Sequence, residues 1–144
     1  KRVHSKIFLE VMTNTLKKGK CKFFIATGNT KEEIEILDEI LKSDLKEFCI
    51  PLNNLNISKI IPIIKNCDVS ICNDSSFSHL SAALNIPTIV LMADTPLVYG
   101  SYSSLMHPIL PEGVNTVTHD TLGKDKINPL EIQKKLDEIL SNVS

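Results

Sequence analysis

The chain has 144 residues, of which 42% are hydrophobic and 23% charged, a composition that fits one globular domain and excludes a disordered chain. Its net charge of -1 provides no overall basic field for a nucleic-acid backbone, so nucleic acid is not an expected partner. The longest apolar stretch, residues 86–93, contains a proline and is too short to cross a bilayer.

Helical and strand-like patterns follow one another along the whole sequence. Apolar residues at helical spacing, and short apolar runs between them, predict ten elements in chain order: helix 5–17, strand 22–27, helix 31–42, strand 48–50, helix 57–65, strand 69–72, helix 76–84, strand 88–92, strand 114–118 and helix 128–140. Asn85 and Pro87 end the fourth helix, and Pro129 stands in the first turn of the last helix, where proline is tolerated.

The strands read as continuous apolar runs instead of alternating ones, which is typical of a parallel sheet covered by helices on both faces. The sequence therefore predicts an α/β fold with a Rossmann-like doubly wound parallel sheet, and one domain over residues 1–144. Ligands of such sheets bind at the carboxyl ends of the strands. Three loops at this edge are expected to matter most: 28–33, 73–79 and 93–101.

The loop 73–79 places several polar side chains between a buried strand and a helix. The small residues Ser75 and Ser76 stand where the first amide groups of the helix lack intrahelical partners, and the helix dipole favours an anion such as a diphosphate there. His79 follows Ser75 by four residues, on the same helix face. The alternative is an ordinary helix cap made by Asp74 or Ser75, with His79 as a surface residue.

Residues 73–88 read Asn-Asp-Ser-Ser-Phe-Ser-His-Leu-Ser-Ala-Ala-Leu-Asn-Ile-Pro-Thr. This segment resembles the signature of glycosyltransferase family 9, the heptosyltransferases, and six positions match it in register: Asp74, His79, Ala82, Ala83, Pro87 and Thr88. The segments 94–96 and 99–100 resemble the family's threonine-aspartate-proline and tyrosine-glycine loop, and residues 1–3 its K-x-W element. The resemblance thus covers nearly the whole chain.

The resemblance implies a donor site for a nucleotide sugar. Four residues are implied to surround the donor diphosphate: Asp74, Ser75, Ser76 and His79. Lys1 is implied to neutralise that diphosphate, Glu32 to reach the nucleoside and Leu55 to pack near the base. The alternatives are a first-turn acidic residue favoured by the helix dipole for Glu32 and plain core packing for Leu55.

Two positions depart from the family pattern. Ser76 stands where the family has glycine, and a side chain there is expected to demand a different backbone conformation. Val3 stands where the family has tryptophan. Both departures indicate a divergent member of the family whose donor differs from the usual one in its sugar or its nucleotide.

The resemblance further implies the C-terminal half of a GT-B glycosyltransferase, in which an N-terminal half outside this chain binds the acceptor and supplies the catalytic base. It implies inverting transfer from ADP-heptose or a related donor to a glycolipid acceptor, without a metal ion. It also implies a cytoplasmic location, at the inner face of the bacterial inner membrane. Two alternatives stay open: a non-catalytic nucleotide-binding or interaction module, which Ser76 favours, and a sugar-nucleotide epimerase.

The histidines and cysteines show no metal-ligand spacing. The four cysteines form no CxxC pair, and we expect all of them to be reduced thiols that pack as small hydrophobic residues: Cys21, Cys49, Cys67 and Cys72.

Overall fold

The structure, a computed structural model, describes residues 3–93, 96–114, 117, 123 and 125–142. Within them, helices and strands follow in this order: α1 (Ser5–Leu16), β1 (Phe23–Ile25), α2 (Lys31–Leu41), β2 (Cys49–Pro51), α3 (Ile57–Lys65), β3 (Ser70–Asn73), α4 (Ser76–Ala83), β4 (Thr88–Leu91), β5 (Met106–Ile109) and α5 (Pro129–Ser141). Two short 3-10 helices, Lys46–Phe48 and Leu97–Gly100, precede β2 and β5.

All strand pairings of the described residues are parallel, as the sequence predicts. They form two hydrogen-bonded sheets: β1 pairs with β2, and β4 lies between β3 and β5. A helix separates the two paired strands in β1-α2-β2 and in β3-α4-β4, the crossover that a parallel pairing requires.

The central strand β4 is buried on both of its faces. Ile89 and Leu91 point into a core formed with α1 and α5, whereas Val90 and Met92 point into a core formed with α4 and β5. Because helices cover both faces of a parallel sheet here, the doubly wound architecture predicted from the sequence is confirmed.

Two further apolar clusters extend the core around the smaller sheet. One joins α1 and α2 to β1 and β2 through Met12, Ile40 and Cys49. The other joins α3 to α4 through residues such as Ile60 and Ile86. Most apolar residues of the helices therefore face the core, which is what their spacing in the sequence indicates, whereas Ile57 of α3 and Leu130 of α5 are exposed.

The helix ends follow the signals in the sequence. Asn85, with φ +64°, takes the left-handed conformation that ends α4. Asn128 accepts a hydrogen bond from the Leu130 N–H, and Pro129 is the first residue of α5. All four cysteines are free thiols, as expected. In the part of the chain that the structure describes, no helix is long and apolar enough to cross a membrane.

The last predicted strand, 114–118, lies mostly outside the described residues. Of residues 114–118, only Val114 and Val117 lie among the described residues, and neither belongs to a strand. The Val114 N–H donates to Pro111 O in a turn at Gly113, where φ is +80°. The fifth strand of the described residues is Met106–Ile109, which the sequence did not predict. It contains Pro108, and a proline argues against a strand when only the sequence is considered.

The structure explains why Pro108 is tolerated. Leu105 O accepts a hydrogen bond from the N–H of Thr88 in β4, and Ile109 O accepts one from the N–H of Met92, the residue after β4. Backbone groups of successive strand residues point to opposite sides, so the Pro108 nitrogen points away from β4, toward the open edge. The N–H that proline lacks is therefore not needed for the pairing.

Candidate functional site

The candidate site lies at the carboxyl end of β3, where the chain enters α4. Val3 N–H donates a 3.1 Å hydrogen bond to Asn73 Oδ1, which holds the segment before α1 against this strand end. Lys1 lies outside the described residues, and so does the loop segment 94–95. The loop 73–79 that the sequence predicted therefore lies beside the segment that leads into α1.

At the start of α4, the Ser78 side chain caps the helix by bonding to the Ser75 backbone. The Ser78 hydroxyl donates to Ser75 O at 2.6 Å and accepts from the Ser75 N–H at 3.3 Å, and Ser78 is fully buried. The Ser75 amide is thus occupied within the loop. The amides that the described residues leave without an acceptor are those of Ser76 and Phe77, the first two residues of the helix.

Ser76 adopts the backbone conformation of a helix residue. It is exposed at the first position of α4, and Asn85 is the non-glycine residue with positive φ in the described chain. The expectation that a serine in place of glycine demands a special φ/ψ is therefore wrong, because a negative φ costs serine nothing. The Ser76 amide stays accessible at the helix N-terminus, where the dipole favours an anion.

Asp74 is partly buried beside the helix start. Its Oδ1 accepts no hydrogen bond from the described residues and lies 3.8 Å from His79 Nε2. A buried carboxylate oxygen without a donor is costly. Asp74 Oδ1 is therefore an acceptor positioned for a donor that a ligand or the His79 ring can supply.

His79 is held between two groups. Its Nδ1 lies 2.6 Å from the Tyr102 hydroxyl, and the two rings stack with centroids 5.6 Å apart and planes 8° from parallel. Its Nε2 faces Asp74. With 42% of its side chain exposed, the imidazole is oriented by Tyr102 and still open to solvent. Tyr102 was not predicted from the sequence.

Glu32 lies at the start of α2, after β1, and Leu55 lies on the loop that follows β2. Glu32 is exposed in the first turn of α2. The neighbouring Glu33 folds its carboxylate against Gly28, where a Cβ atom would come within 1.8 Å of Glu33 Oε2. Leu55 is half-buried in the same apolar cluster as Phe77, which connects its loop to the first turn of α4.

The loops that follow β1 and β2 are tied to each other. The Asn29 side chain donates to Asn53 O at 3.2 Å, and the two amide side chains lie 3.5 Å apart. The structure thus brings together Asp74, Ser75, Ser76 and His79 as one group, whereas no hydrogen bond or ion pair of the described residues joins Glu32 to that group.

The nearby thiol is not a candidate nucleophile. Burial raises the pKa of Cys72 to about 11, with an opposing contribution from the Ser70 hydroxyl, which lies 3.1 Å from the sulfur. A thiol with such a pKa is almost entirely protonated at neutral pH. The described residues also contain no group of three or more His, Cys, Asp or Glu that could hold a metal ion.

A second concave feature lies at the opposite edge of the fold. It is a shallow apolar depression between the end of α1 and Phe48, lined by Leu16, Leu45 and several lysines. It faces the amino ends of β1 and β2. Because ligands of doubly wound sheets bind at the carboxyl ends, the site around His79 is the better candidate.

Three comparisons with known proteins show which family the chain resembles. Residues 1–110 match the family model of glycosyltransferase family 9 (heptosyltransferase). The chain is 35% identical over 75 residues to lipooligosaccharide heptosyltransferase 2 of Haemophilus influenzae, covering 50% of this chain and 22% of that protein. It is 30% identical over 98 residues to lipopolysaccharide heptosyltransferase 1 of Campylobacter coli, covering 64% and 27%.

The fold is shared with a solved structure, that of the E. coli ADP-heptose LPS heptosyltransferase II. The TM-score is 0.70 at 21% sequence identity, over 99% of this chain and 43% of that one. The chain thus spans less than half the length of the proteins it matches. Since the family model covers most of its residues, including the whole of the loop that carries Asp74 and His79, the chain belongs to glycosyltransferase family 9.

Proposed function

We propose that residues 1–144 form the donor-binding domain of an inverting glycosyltransferase. In this proposal the enzyme transfers a heptose or a related sugar from a nucleoside-diphosphate sugar, such as ADP-heptose, to lipopolysaccharide or another surface glycan. An N-terminal half outside this chain binds the acceptor. The full-length enzyme acts in the cytoplasm, at the inner face of the bacterial inner membrane.

One observation carries this proposal: the Ser76 and Phe77 amides at the start of α4, which have no acceptor among the described residues, lie within one helical turn of the oriented imidazole of His79. Backbone N–H groups at a helix N-terminus bind phosphate oxygens, and the helix dipole adds to the attraction. An imidazole N–H on the same face supplies a further donor. These three donors suit a diphosphate.

In the proposed reaction, the acceptor hydroxyl oxygen attacks the anomeric carbon of the donor sugar. The bond between that carbon and the diphosphate oxygen breaks, and a base of the other half takes the hydroxyl proton. Negative charge then grows on the leaving nucleoside diphosphate. The amides of α4, His79 and Lys1 would stabilise this charge, and preorganised donors of this kind make a large contribution to catalysis.

Asp74 needs a role compatible with its own charge. An ionised carboxylate next to a diphosphate would repel it, so we assign the unpartnered Asp74 Oδ1 to a hydroxyl of the donor sugar and to His79. The 3.8 Å contact with Asp74 would also help to orient the imidazole. Glu32 and Leu55 are proposed to contact the nucleoside from the neighbouring loops.

The test is a transfer assay with ADP-heptose and a lipid-core acceptor, run with the chain alone and with the full-length protein. We expect transfer by the full-length protein and none by residues 1–144, because this proposal assigns the acceptor-side base to the other half. Turnover by residues 1–144 would contradict the two-half arrangement. No turnover by the full-length protein, together with no nucleotide binding, would favour the non-catalytic module.

A further inference from the structure

The segment that follows β4 carries a cluster of exposed apolar side chains beside the candidate site. Eight large hydrophobic residues are exposed in the part of the chain that the structure describes, and three of them lie within five consecutive positions: Val98, Tyr99 and Tyr102. Exposed apolar residues that cluster, unlike single ones, mark a binding surface. Because the two tyrosines also carry hydroxyl groups, this surface suits a ligand with both apolar and polar parts.

Tyr102 is the member of this cluster that contacts the site directly. Its hydroxyl lies 2.6 Å from His79 Nδ1, and the two rings are nearly parallel, with planes 8° apart and centroids separated by 5.6 Å. This separation is typical of offset rings, so His79 contacts the hydroxyl end of the tyrosine ring. Since 60% of Tyr102 is exposed, the rest of the ring offers a flat apolar face to solvent.

The turn that carries Tyr102 is closed by its own hydrogen bonds. The Tyr99 N–H donates to Pro96 O at 3.1 Å, and the Ser101 hydroxyl donates to Leu97 O at 2.8 Å. The Tyr102 side chain is anchored in addition by its hydroxyl group. A ring that is already held in place loses little conformational entropy when a ligand packs against it.

A carboxylate oxygen that needs a donor lies on the other side of His79. Asp74 Oδ1 is buried without a hydrogen bond from the described residues and lies 3.8 Å from His79 Nε2, whereas Tyr102 meets the other ring nitrogen. One imidazole ring therefore separates an acceptor for hydroxyl groups from a flat apolar face. Sugars have hydroxyl groups at their edges and C–H groups on their ring faces, so these two features together fit a carbohydrate.

The two sides of α4 face different parts of the fold. Phe77 and Leu80, three residues apart, pack in the apolar cluster that contains Leu55, one of the proposed nucleoside contacts. Ala82 packs instead in the cluster of β4 and β5. Because His79 precedes Ala82 by three residues, it lies on this second side. The proposed nucleoside site and the tyrosine bonded to His79 therefore meet α4 from different sides.

This arrangement orders the parts of a nucleotide sugar along the edge of the sheet. The diphosphate joins the nucleoside to the sugar, and in the proposed function it binds at the start of α4. The donor sugar then extends away from the nucleoside, toward the open face of Tyr102, and the acceptor sugar that attacks it approaches from the same side. Position and chemistry thus both indicate a sugar ring as the ligand of this face.

We propose that the open face of the Tyr102 ring is a sugar-binding surface, against which the C–H face of one sugar ring packs while a hydroxyl group of that sugar reaches Asp74 Oδ1. The sugar is that of the donor or the terminal sugar of the acceptor, two sources that share this chemistry. The inference rests on the proposed function. It gives Tyr102 two separable roles, because its hydroxyl orients His79 and its ring face binds the sugar.

Two substitutions in the full-length protein separate these roles. Tyr102→Phe removes the hydroxyl and keeps the flat ring, whereas Tyr102→Leu removes both. Titration calorimetry gives the Kd of ADP and of ADP-heptose for each protein. If the donor sugar packs on the ring, Tyr102→Leu should lower the affinity for ADP-heptose relative to that for ADP about 2- to 12-fold, and Tyr102→Phe should leave this ratio unchanged.

Steady-state transfer kinetics identify the other source of the sugar. If the ring binds the acceptor, Tyr102→Leu should raise the KM for a lipid-core acceptor by a similar factor, Tyr102→Phe should not, and the affinity ratio of ADP-heptose to ADP should stay that of the wild type. Phe48→Leu is the matched control. It also removes an exposed aromatic ring, near the amino ends of β1 and β2, and should change neither quantity.

Three outcomes overturn the proposal. Equal effects of Tyr102→Leu and Tyr102→Phe on both quantities mean that only the orienting hydroxyl matters. Unchanged values of both quantities in Tyr102→Leu mean that no sugar contacts the ring. A lower melting temperature of Tyr102→Leu, with the affinity ratio and the acceptor KM unchanged, assigns the surface to contact with the other half of the enzyme.

A measurement without nucleotide or turnover separates this proposal from the proposed function. A methyl heptoside is added at millimolar concentration to the full-length protein, and its C–H proton signals are followed by NMR. The ring current of residue 102 should shift them upfield with the wild type and Tyr102→Phe, and not with Tyr102→Leu. Equal shifts with all three proteins, or none with the wild type, overturn the sugar-binding surface. The expected shifts in a protein that transfers nothing from ADP-heptose would support this surface and contradict the proposed function alone.

Discussion

The substitution His79→Ala separates a binding role of this residue from a structural one. In the folded protein, His79 makes one exposed hydrogen bond to Tyr102 and a 3.8 Å contact with Asp74, together worth about 1 kcal/mol of folding stability. Alanine recovers about half of this through its higher helix propensity. We therefore expect the melting temperature to fall by no more than about 4 °C.

The expected effect on nucleotide binding is larger. A hydrogen bond from the imidazole to a charged diphosphate contributes about 1.5 to 3 kcal/mol, so its loss should raise the Kd about 10- to 150-fold. Titration calorimetry with the preferred nucleoside diphosphate measures the Kd, and thermal unfolding by circular dichroism measures stability. His79→Gln keeps an N–H donor at the same position and should lose less affinity than His79→Ala.

A variant that binds nucleotide normally but unfolds much earlier would refute this reasoning, because it would make His79 a structural residue. The neighbouring Ser78 is unsuitable as a control. It is fully buried and its hydroxyl holds the Ser75 backbone, so Ser78→Ala is expected to disturb the start of α4 itself.

Three smaller predictions address the surroundings of the site. Tyr102→Phe removes the hydroxyl that orients His79 and should raise the nucleotide Kd about 2- to 12-fold in the same titration; an unchanged Kd would exclude an orienting role. Ser76→Gly should change the Kd by less than about twofold and lower stability by no more than about 1 kcal/mol in urea unfolding, and a large gain in affinity would show that serine blocks the site. Because the pKa of Cys72 is raised to about 11, its thiolate fraction at pH 8 is about one hundredth of that of a thiol with a pKa of 9; rapid alkylation of Cys72 in the folded protein would contradict this raised pKa.

Most of the fold could be predicted from the sequence because its helices carry strong apolar periodicity and clear end signals. Thr30 accepts from the Glu33 N–H, Asn128 from the Leu130 N–H, and Asn85 ends α4, all short-range effects. Strand β5 was missed because its tolerance of Pro108 depends on which side of the strand faces β4. That orientation is set by tertiary pairing and not by local pattern.

Only the part of the site that lies within one continuous segment of the chain could be predicted from the sequence. The loop with Asp74 and His79 is one continuous segment, so spacing alone placed its members together. Tyr102 is 23 residues away from His79, and their stacking depends on how the segment after β4 folds back over α4. Likewise, no sequence pattern indicated that the Ser78 hydroxyl occupies the Ser75 amide, which leaves the Ser76 and Phe77 amides for a ligand.

The central claim is that the start of α4 binds the diphosphate of a nucleotide sugar, and an NMR titration tests it most directly. ADP, GDP and UDP are added separately to isotope-labelled residues 1–144, and backbone amide shifts are followed. We expect at least one nucleotide to bind weakly, since the opposing half of the cleft is absent, with the largest shifts at the amides of Ser76, Phe77 and His79. No shift at millimolar nucleotide in the folded chain, or shifts confined to the depression near Phe48, would contradict the account.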